Sequence, residues 1–272
     1  MLIDTHCHLD AAEFDADRDD IAQQAINVGI AKIVIPAVAC GNFDAVITLC
    51  NQHKNCAYAL GIHPMYVASA TTDDLEILRK YVKQNNPVAI GEIGLDYFSI
   101  DTHKADYQQL KDLQTYFFTE QLKIAKQNDL PVILHVRHAI DDILKHLRKY
   151  QVTGGIAHAF NGSFQQAEQL IALGFKLGFG GAMTYSRALK IRDLALKLPL
   201  DAIVLETDAP DIPPEWLGTK GRNSPLEIVK IAQVLADLKQ VNVSQVLDIT
   251  GTNALKVLPK LAHLCTPPKV LH

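Results

Sequence analysis

The sequence predicts a closed barrel of eight parallel strands, each followed by a helix: a (β/α)8 fold. Three observations lead there. Short apolar, β-branched runs alternate with amphipathic stretches from end to end, the pattern of parallel strands joined by helical crossovers. Eight such runs fit within 272 residues, which suits a closed barrel better than an open doubly wound sheet. No Gly-x-Gly-x-x-Gly follows the first run, which argues against a dinucleotide-binding sheet.

The strands are expected at residues 2–6, 32–38, 57–61, 88–93, 132–136, 155–159, 175–179 and 202–206. The seventh is short and flanked by glycines. Between the fourth and fifth, residues 105–127 carry Leu110, Leu113, Phe117 and Ile124 at steps of three, four and seven, one face of a helix. Phe118 and Leu122, four apart, widen that stripe. Leu170, Ile171 and Leu173 belong to a second helix, and Leu194, Leu196 and Leu198 sit near the end of a third. The tail after Asn253, with Pro267-Pro268 near its end, reads as a terminal extension. Without repeats or low-complexity segments, residues 1–272 are expected to form a single domain.

Composition narrows the function classes. At 48% hydrophobic and 21% charged the chain has ordinary globular composition. It lacks an apolar run near the ~18 residues that a membrane span needs. The N-terminus has no basic-then-apolar leader, so a cytoplasmic location is expected. Five cysteines, an odd number without metal-finger spacing, read as reduced thiols. A net charge of −4 excludes a broad cationic nucleic-acid surface. If the chain handles a phosphate polyanion, bound metal ions and a few local Arg or Lys residues must supply the positive field. Nothing implies an obligate protein partner.

Five runs end in a residue that can bind metal. The first delivers His6 and His8, with Cys7 between them. Positions i and i+2 of a strand face the same side, so the imidazoles are presented together while Cys7 turns into the packing. Glu92 follows Val88-Ala89-Ile90-Gly91, His135 follows Val132-Ile133-Leu134, His158 follows Gly155-Ile156-Ala157, and Asp208 follows the run from Ile203 to Thr207. The C-terminal strand ends of a barrel share one mouth, so six groups remote in sequence are expected to converge. Nitrogen and oxygen donors suit Zn²⁺, Mn²⁺, Co²⁺ or Ni²⁺, whereas carboxylates with few histidines suit Mg²⁺ better. Four histidines and two acids exceed what one catalytic ion uses and fit two ions sharing a carboxylate. Glu92, from the middle of the strand order, is the natural bridge. Two ions roughly 3.5–4 Å apart can hold an attacking water and stabilise both oxygens of a phosphoryl displacement. Asp208 is then placed both to bind metal and to accept the water's proton.

Six motifs in order carry a further resemblance: Asp4-Thr5-His6-Cys7-His8-Leu9, Gly61-Ile62-His63-Pro64, Gly91-Glu92-Ile93-Gly94-Leu95-Asp96-Tyr97, Leu134-His135-Val136-Arg137, His158-Ala159-Phe160-Asn161-Gly162-Ser163 and Glu206-Thr207-Asp208-Ala209-Pro210. Together they resemble the TatD family of metal-dependent deoxyribonucleases, within the amidohydrolase superfamily, from Ile3 to about Asn253. The resemblance implies a distorted TIM barrel and a pair of divalent ions, one held by His6, His8, Glu92 and Asp208, the other by Glu92, His135 and His158. It implies hydrolysis of phosphodiester bonds in DNA, often from a 3′ end. It also implies that His63, Arg137 and Asn223 touch the substrate. The chain departs from the family at Ala159, where Cys or Ser is frequent, at His138, where Asp is common, and at Asp211, where many members have Tyr. Asp211 adds negative charge beside the pocket.

Three other features have two readings each. Asp96 could hold a ligand histidine or cap a helix. The loop from Gly218 to Asn223 could reach a phosphate backbone or remain solvated. Trp216 could stack on a base or serve as a packed anchor. Two competing functions also follow from the residues. One is hydrolysis of a small-molecule amide, ester or phosphoester, which the carboxylate at position 92 disfavours, since superfamily relatives with that chemistry commonly bridge their metals with a modified lysine. The other is a binding barrel with structural metal, which a complete catalytic ligand set disfavours.

Overall fold

The computed structural model describes residues 1–101 and 105–264. Strands and helices alternate as expected. In chain order they are β1 (Leu2–Asp4), α1 (Arg18–Asn27), β2 (Ile30–Pro36), α2 (Phe43–Gln52), β3 (Cys56–Ala59), α3 (Thr72–Asn85), β4 (Ile90–Asp96), α4 (Tyr107–Gln127), β5 (Val132–Arg137), α5 (Ile140–Tyr150), β6 (Gly155–Ala157), α6 (Phe164–Ala172), β7 (Phe175–Phe179), α7 (Leu189–Lys197), β8 (Ile203–Leu205), α8 (Ile228–Lys239), α9 (Val243–Val257) and α10 (Pro259–Leu264). All ladders are parallel, in the order β1-β2-β3 and β4-β5-β6-β7-β8. Two seams join these sheets into a barrel. A parallel bridge pairs Leu60 with Ile90, and the Thr5 amide donates to the Leu205 carbonyl at 3.1 Å. Irregular pairing at the seams makes the barrel a distorted one.

Strands buried on both faces read as continuous apolar runs rather than alternating ones, and β1, β4, β6 and β8 are buried at every position. Alternate residues still separate inside from outside. Ile3, Val34, Ala57, Ile133, Ile156 and Val204 meet in one interior cluster, whereas Ile33, Ile35, Leu134 and Leu177 pack outward with the helices. The interior is plugged from below by Ala254, Val257, Leu258 and Leu261 of α9 and α10. The stretch after Asn253 is therefore core up to α10, not an extension. Its apolar residues close the end of the barrel opposite the mouth. Pro267-Pro268 lies outside the described residues. Helix α4 begins at Tyr107, two residues later than expected, and it buries Gln114 and Gln121 beside Phe117, Phe118 and Leu122. Among the described residues, no helix is long and apolar enough to cross a membrane.

Candidate metal centre at the mouth of the barrel

The groups singled out in the sequence reach the mouth by different routes. Glu92 lies within β4 and His135 within β5. His6, His8, His158 and Asp208 lie in loops just beyond β1, β6 and β8. The pairing of His6 with His8 is thus a loop effect and not the strand alternation expected. The backbone after Asp4 is pinned from both sides: the Cys7 amide donates to Val34 O at 3.0 Å and the His8 amide to Ala209 O at 2.7 Å. Asp208 is turned inward by a left-handed backbone (φ 58°), which Asp tolerates better than most residues, and its amide donates to His6 O at 2.8 Å. Cys7 is buried, its thiol against Ala209 O, in the packing role expected of it.

Glu92 is the hub. Its Oε2 faces His6 Nε2 at 3.2 Å and His8 Nε2 at 3.5 Å. Its Oε1 faces His135 Nδ1 at 2.7 Å, His158 Nε2 at 3.2 Å and His63 Nε2 at 3.4 Å. Around Oε2 the set is completed by Asp208, whose Oδ1 lies 3.5 Å from His6 Nε2 and 3.8 Å from His8 Nε2. The two imidazole nitrogens are 3.3 Å apart. The Glu92 and Asp208 oxygens thus each lie 3.2–3.8 Å from the two imidazole nitrogens, close enough for these groups to share one first-row divalent ion. Four lone-pair-bearing atoms converging in a buried site repel one another unless a cation or shared protons lie between them. The donor set therefore fits a divalent cation.

The side chains alone form a strongly coupled electrostatic system. Burial pushes the Glu92 carboxyl up, but the imidazoles of His63, His6, His158 and His135 outweigh it and hold Glu92 well below the usual carboxylate range. Burial, aided by the charge of His158, drives His6 well below an ordinary histidine. His8 is also opposed by burial, but Glu92, Asp208 and Asp10 raise it to about 9. Burial raises Asp208 to about 6.

Two acids that the sequence reading left without a role, Asp4 and Glu206, brace this centre. Asp4 is fully buried and accepts from Thr207 Oγ1 at 2.6 Å, Thr207 N at 3.0 Å and His6 N at 3.3 Å. It locks the loop after β1 to the loop after β8. Glu206 Oε1 accepts from the Ala159 amide at 2.5 Å and lies 3.4 Å from His158 Nδ1. Room for Glu206 comes from Gly178, where an added Cβ would fall 2.2 Å from Oε2. The available signal was spacing: Asp4-Thr5-His6 and Glu206-Thr207-Asp208 each place an acid two positions before a candidate ligand.

Asp96 takes the first of its two readings. Its Oδ2 lies 3.1 Å from His135 Nε2, so His135 is held between Glu92 and Asp96. His63 Nδ1 accepts the Met65 amide at 3.1 Å, so the neutral ring carries its proton on Nε2, the nitrogen that faces the centre. Arg137 stands at the rim, its side chain half exposed and 3.8 Å from Asp96. Asn223 corrects the sequence expectation. It is wholly buried and does not line the cavity. Its amide donates to the carbonyls of Thr207 at 2.8 Å, Asp211 at 2.9 Å and Ile212 at 3.2 Å, so it shapes the loop that carries Asp208. The basic loop before it is likewise tied down, because Arg222 makes paired bonds of 2.6 and 2.9 Å to Asp17. Trp216 donates to Glu227 at 2.6 Å and is not part of the cavity lining. The open cavity over the centre measures about 1090 Å³.

A model of the TatD related DNase family matches residues 3–259. The chain belongs to that family. The metal-dependent hydrolase YjjV of Escherichia coli is 41% identical over 243 residues, 88% of this chain and 90% of that one. The human deoxyribonuclease TATDN3 is 31% identical over 272 residues, 97% and 96% of the respective chains. The crystal structure of YjjV superposes with a TM-score of 0.86 at 37% identity, covering 95% of this chain and 98% of that one. A TatD family hydrolase from Entamoeba histolytica, 20% identical, shares the fold with a TM-score of 0.82. This TatD family chain is therefore a metal-dependent hydrolase on a TIM-barrel scaffold, and its His, Glu and Asp clusters are the groups suited to bind metal.

Proposed function

We propose that this protein hydrolyses phosphodiester bonds in DNA, using two divalent ions that share Glu92. The observation that carries the proposal is the division of the Glu92 carboxylate: Oε2 faces His6 and His8, which Asp208 also approaches, and Oε1 faces His135, His158 and His63. Ions held there would supply positive charge to the phosphate and lower the pKa of water. Zn²⁺, Mn²⁺, Co²⁺ and Ni²⁺ suit the donors better than Mg²⁺.

The chain's own groups do the rest. Asp208, largely buried beside His6 and His8, accepts the proton of the attacking water. His63 offers its Nε2–H to a phosphoryl oxygen. Arg137 pairs with a phosphate at the rim. Asp96 and Glu206 hold His135 and His158 in register, as carboxylates behind ligand histidines do. The family model and the relative named a deoxyribonuclease support the same reading.

Elemental analysis of the purified protein should find up to two equivalents of a first-row divalent ion. Single-stranded DNA and bis-nitrophenyl phosphate should be hydrolysed, hydrolysis should stop on exhaustive chelation, and Mn²⁺ or a similar ion should restore it. Asp208→Asn should lower turnover by on the order of a hundredfold or more with the fold intact. Hydrolysis of small amides but no phosphodiester, or activity surviving chelation, would overturn the proposal.

A further inference from the structure

The rim of the cavity is chemically lopsided. In an eight-stranded barrel taken in chain order, the loops after β4 and β5 lie across the mouth from those after β8 and β1. The first side carries Phe98, Arg137 and His138; the second carries Asp10, Glu13 and Asp211, and all six line the cavity. Phe98 is 57% exposed. An exposed aromatic by itself is unremarkable in a protein surface. This one is framed by two rim side chains: the Arg137 guanidinium lies 4.2 Å from its ring centroid, and the His138 ring meets it edge-on at 5.1 Å. The frame connects directly to the centre, because Arg137 pairs with Asp96, which holds His135.

We propose that Phe98, framed by Arg137 and His138, is the stacking platform for a nucleobase flanking the scissile bond of a single-stranded substrate, and that the strand leaves the centre on this side only. The proposal rests on the DNA reading given above. A flat apolar face suits any base, because every base has a π-face. The adjacent guanidinium suits the phosphate joining that base to the scissile position. The facing wall of carboxylates repels a polyanion, so substrate beyond the scissile phosphate on that side is restricted to a short terminal piece. A duplex would keep its bases stacked on each other and could offer no free face to Phe98, so single strands are preferred.

The test is a double-mutant cycle on the metal-loaded enzyme. Oligonucleotides in which one nucleotide near the cleaved end is replaced by a base-free propanediol spacer are compared with the intact strand, the spacer being walked along the terminal positions. Wild type should lose about tenfold in kcat/KM when the spacer occupies the stacked position. In Phe98→Ala the intact strand should fall to the spacer's level and the difference between the two should vanish. Phe98→Trp should restore it. Metal content and thermal midpoint are measured for each variant, so a loss of activity that follows a general loss of integrity is recognised and counts against stacking. If wild type cleaves oligonucleotides but Phe98→Ala keeps the full preference for a base, the platform is refuted and the nuclease reading stands. If wild type turns over the nitrophenyl diester but no oligonucleotide, the nuclease reading fails and the platform falls with it.

Discussion

Replacing Asn223 separates two roles that predict opposite signatures. As a substrate contact, Asn223→Ala would raise KM and leave stability alone. As the brace seen here, it stabilises the loop between Thr207 and Ile212. Two N–H groups serve the carbonyls of Thr207, Asp211 and Ile212, and the side-chain oxygen accepts the Ser224 amide. Losing these hydrogen bonds, one buried and the rest partly buried, costs about 2 kcal/mol together, and leaving the buried Thr207 carbonyl without this donor adds a further ~1 kcal/mol. The expected loss is about 3 kcal/mol, or roughly 6–12 °C in Tm for a chain of this size. Asn223→Asp should cost at least as much, because a carboxylate would then face three carbonyl oxygens. Thermal unfolding followed by circular dichroism in chelator measures the effect apart from metal binding. A Tm within a degree of wild type, with KM raised and kcat retained, would refute the brace and return Asn223 to the substrate.

Other consequences are equally accessible. Metal binding should release protons. For an ion at His6, His8, Glu92 and Asp208, His8 at about 9 and Asp208 at about 6 must both be deprotonated to ligate, so affinity there should rise about tenfold per pH unit from 6 to 9 and more steeply below 6. Calorimetry in two buffers of different ionisation enthalpy counts the protons, and finding none released would contradict the assigned ligands. Gly178→Ala should displace Glu206, whose Oε2 would lie 2.2 Å from the new Cβ. Turnover should fall roughly tenfold or more as His158 loses its support; wild-type activity would show that Glu206 is dispensable. Leu261→Ala, in the plug beneath the barrel, should cost about 2–5 kcal/mol, and an unchanged denaturation midpoint would mean that α10 adds nothing to the core.

Much of the fold was legible because parallel barrel strands carry their signal locally. Each is a short apolar run, and Phe175–Phe179 was placed at its observed bounds despite its glycines. The first, sixth and eighth strands, expected to reach His6, Ala159 and Glu206, stop earlier, at Asp4, Ala157 and Leu205. Apolar composition persists into the loops, and only loss of the ladder hydrogen bonds marks the end. Gln114 and Gln121 of α4 escaped the apolar-stripe reading for a related reason. Their side chains are buried in order to clamp backbone, Gln114 at Asp96 and Gln121 at Ile62, and partners remote in sequence leave no periodic mark.

What the sequence by itself determined is the strand–helix rhythm and the kind of chemistry: imidazoles and carboxylates at successive strand ends of a parallel barrel have a single mouth to share. What only the tertiary structure decided is the division of labour among them. The two oxygens of Glu92 face different histidines, Asn223 turns inward to the backbone while Arg137 stands at the rim, and the stretch after Asn253 fills the barrel floor. These outcomes depend on which way a side chain points from a loop. That direction is set by hydrogen bonds between residues some two hundred positions apart, such as Asp4 with Thr207, and no local pattern records them.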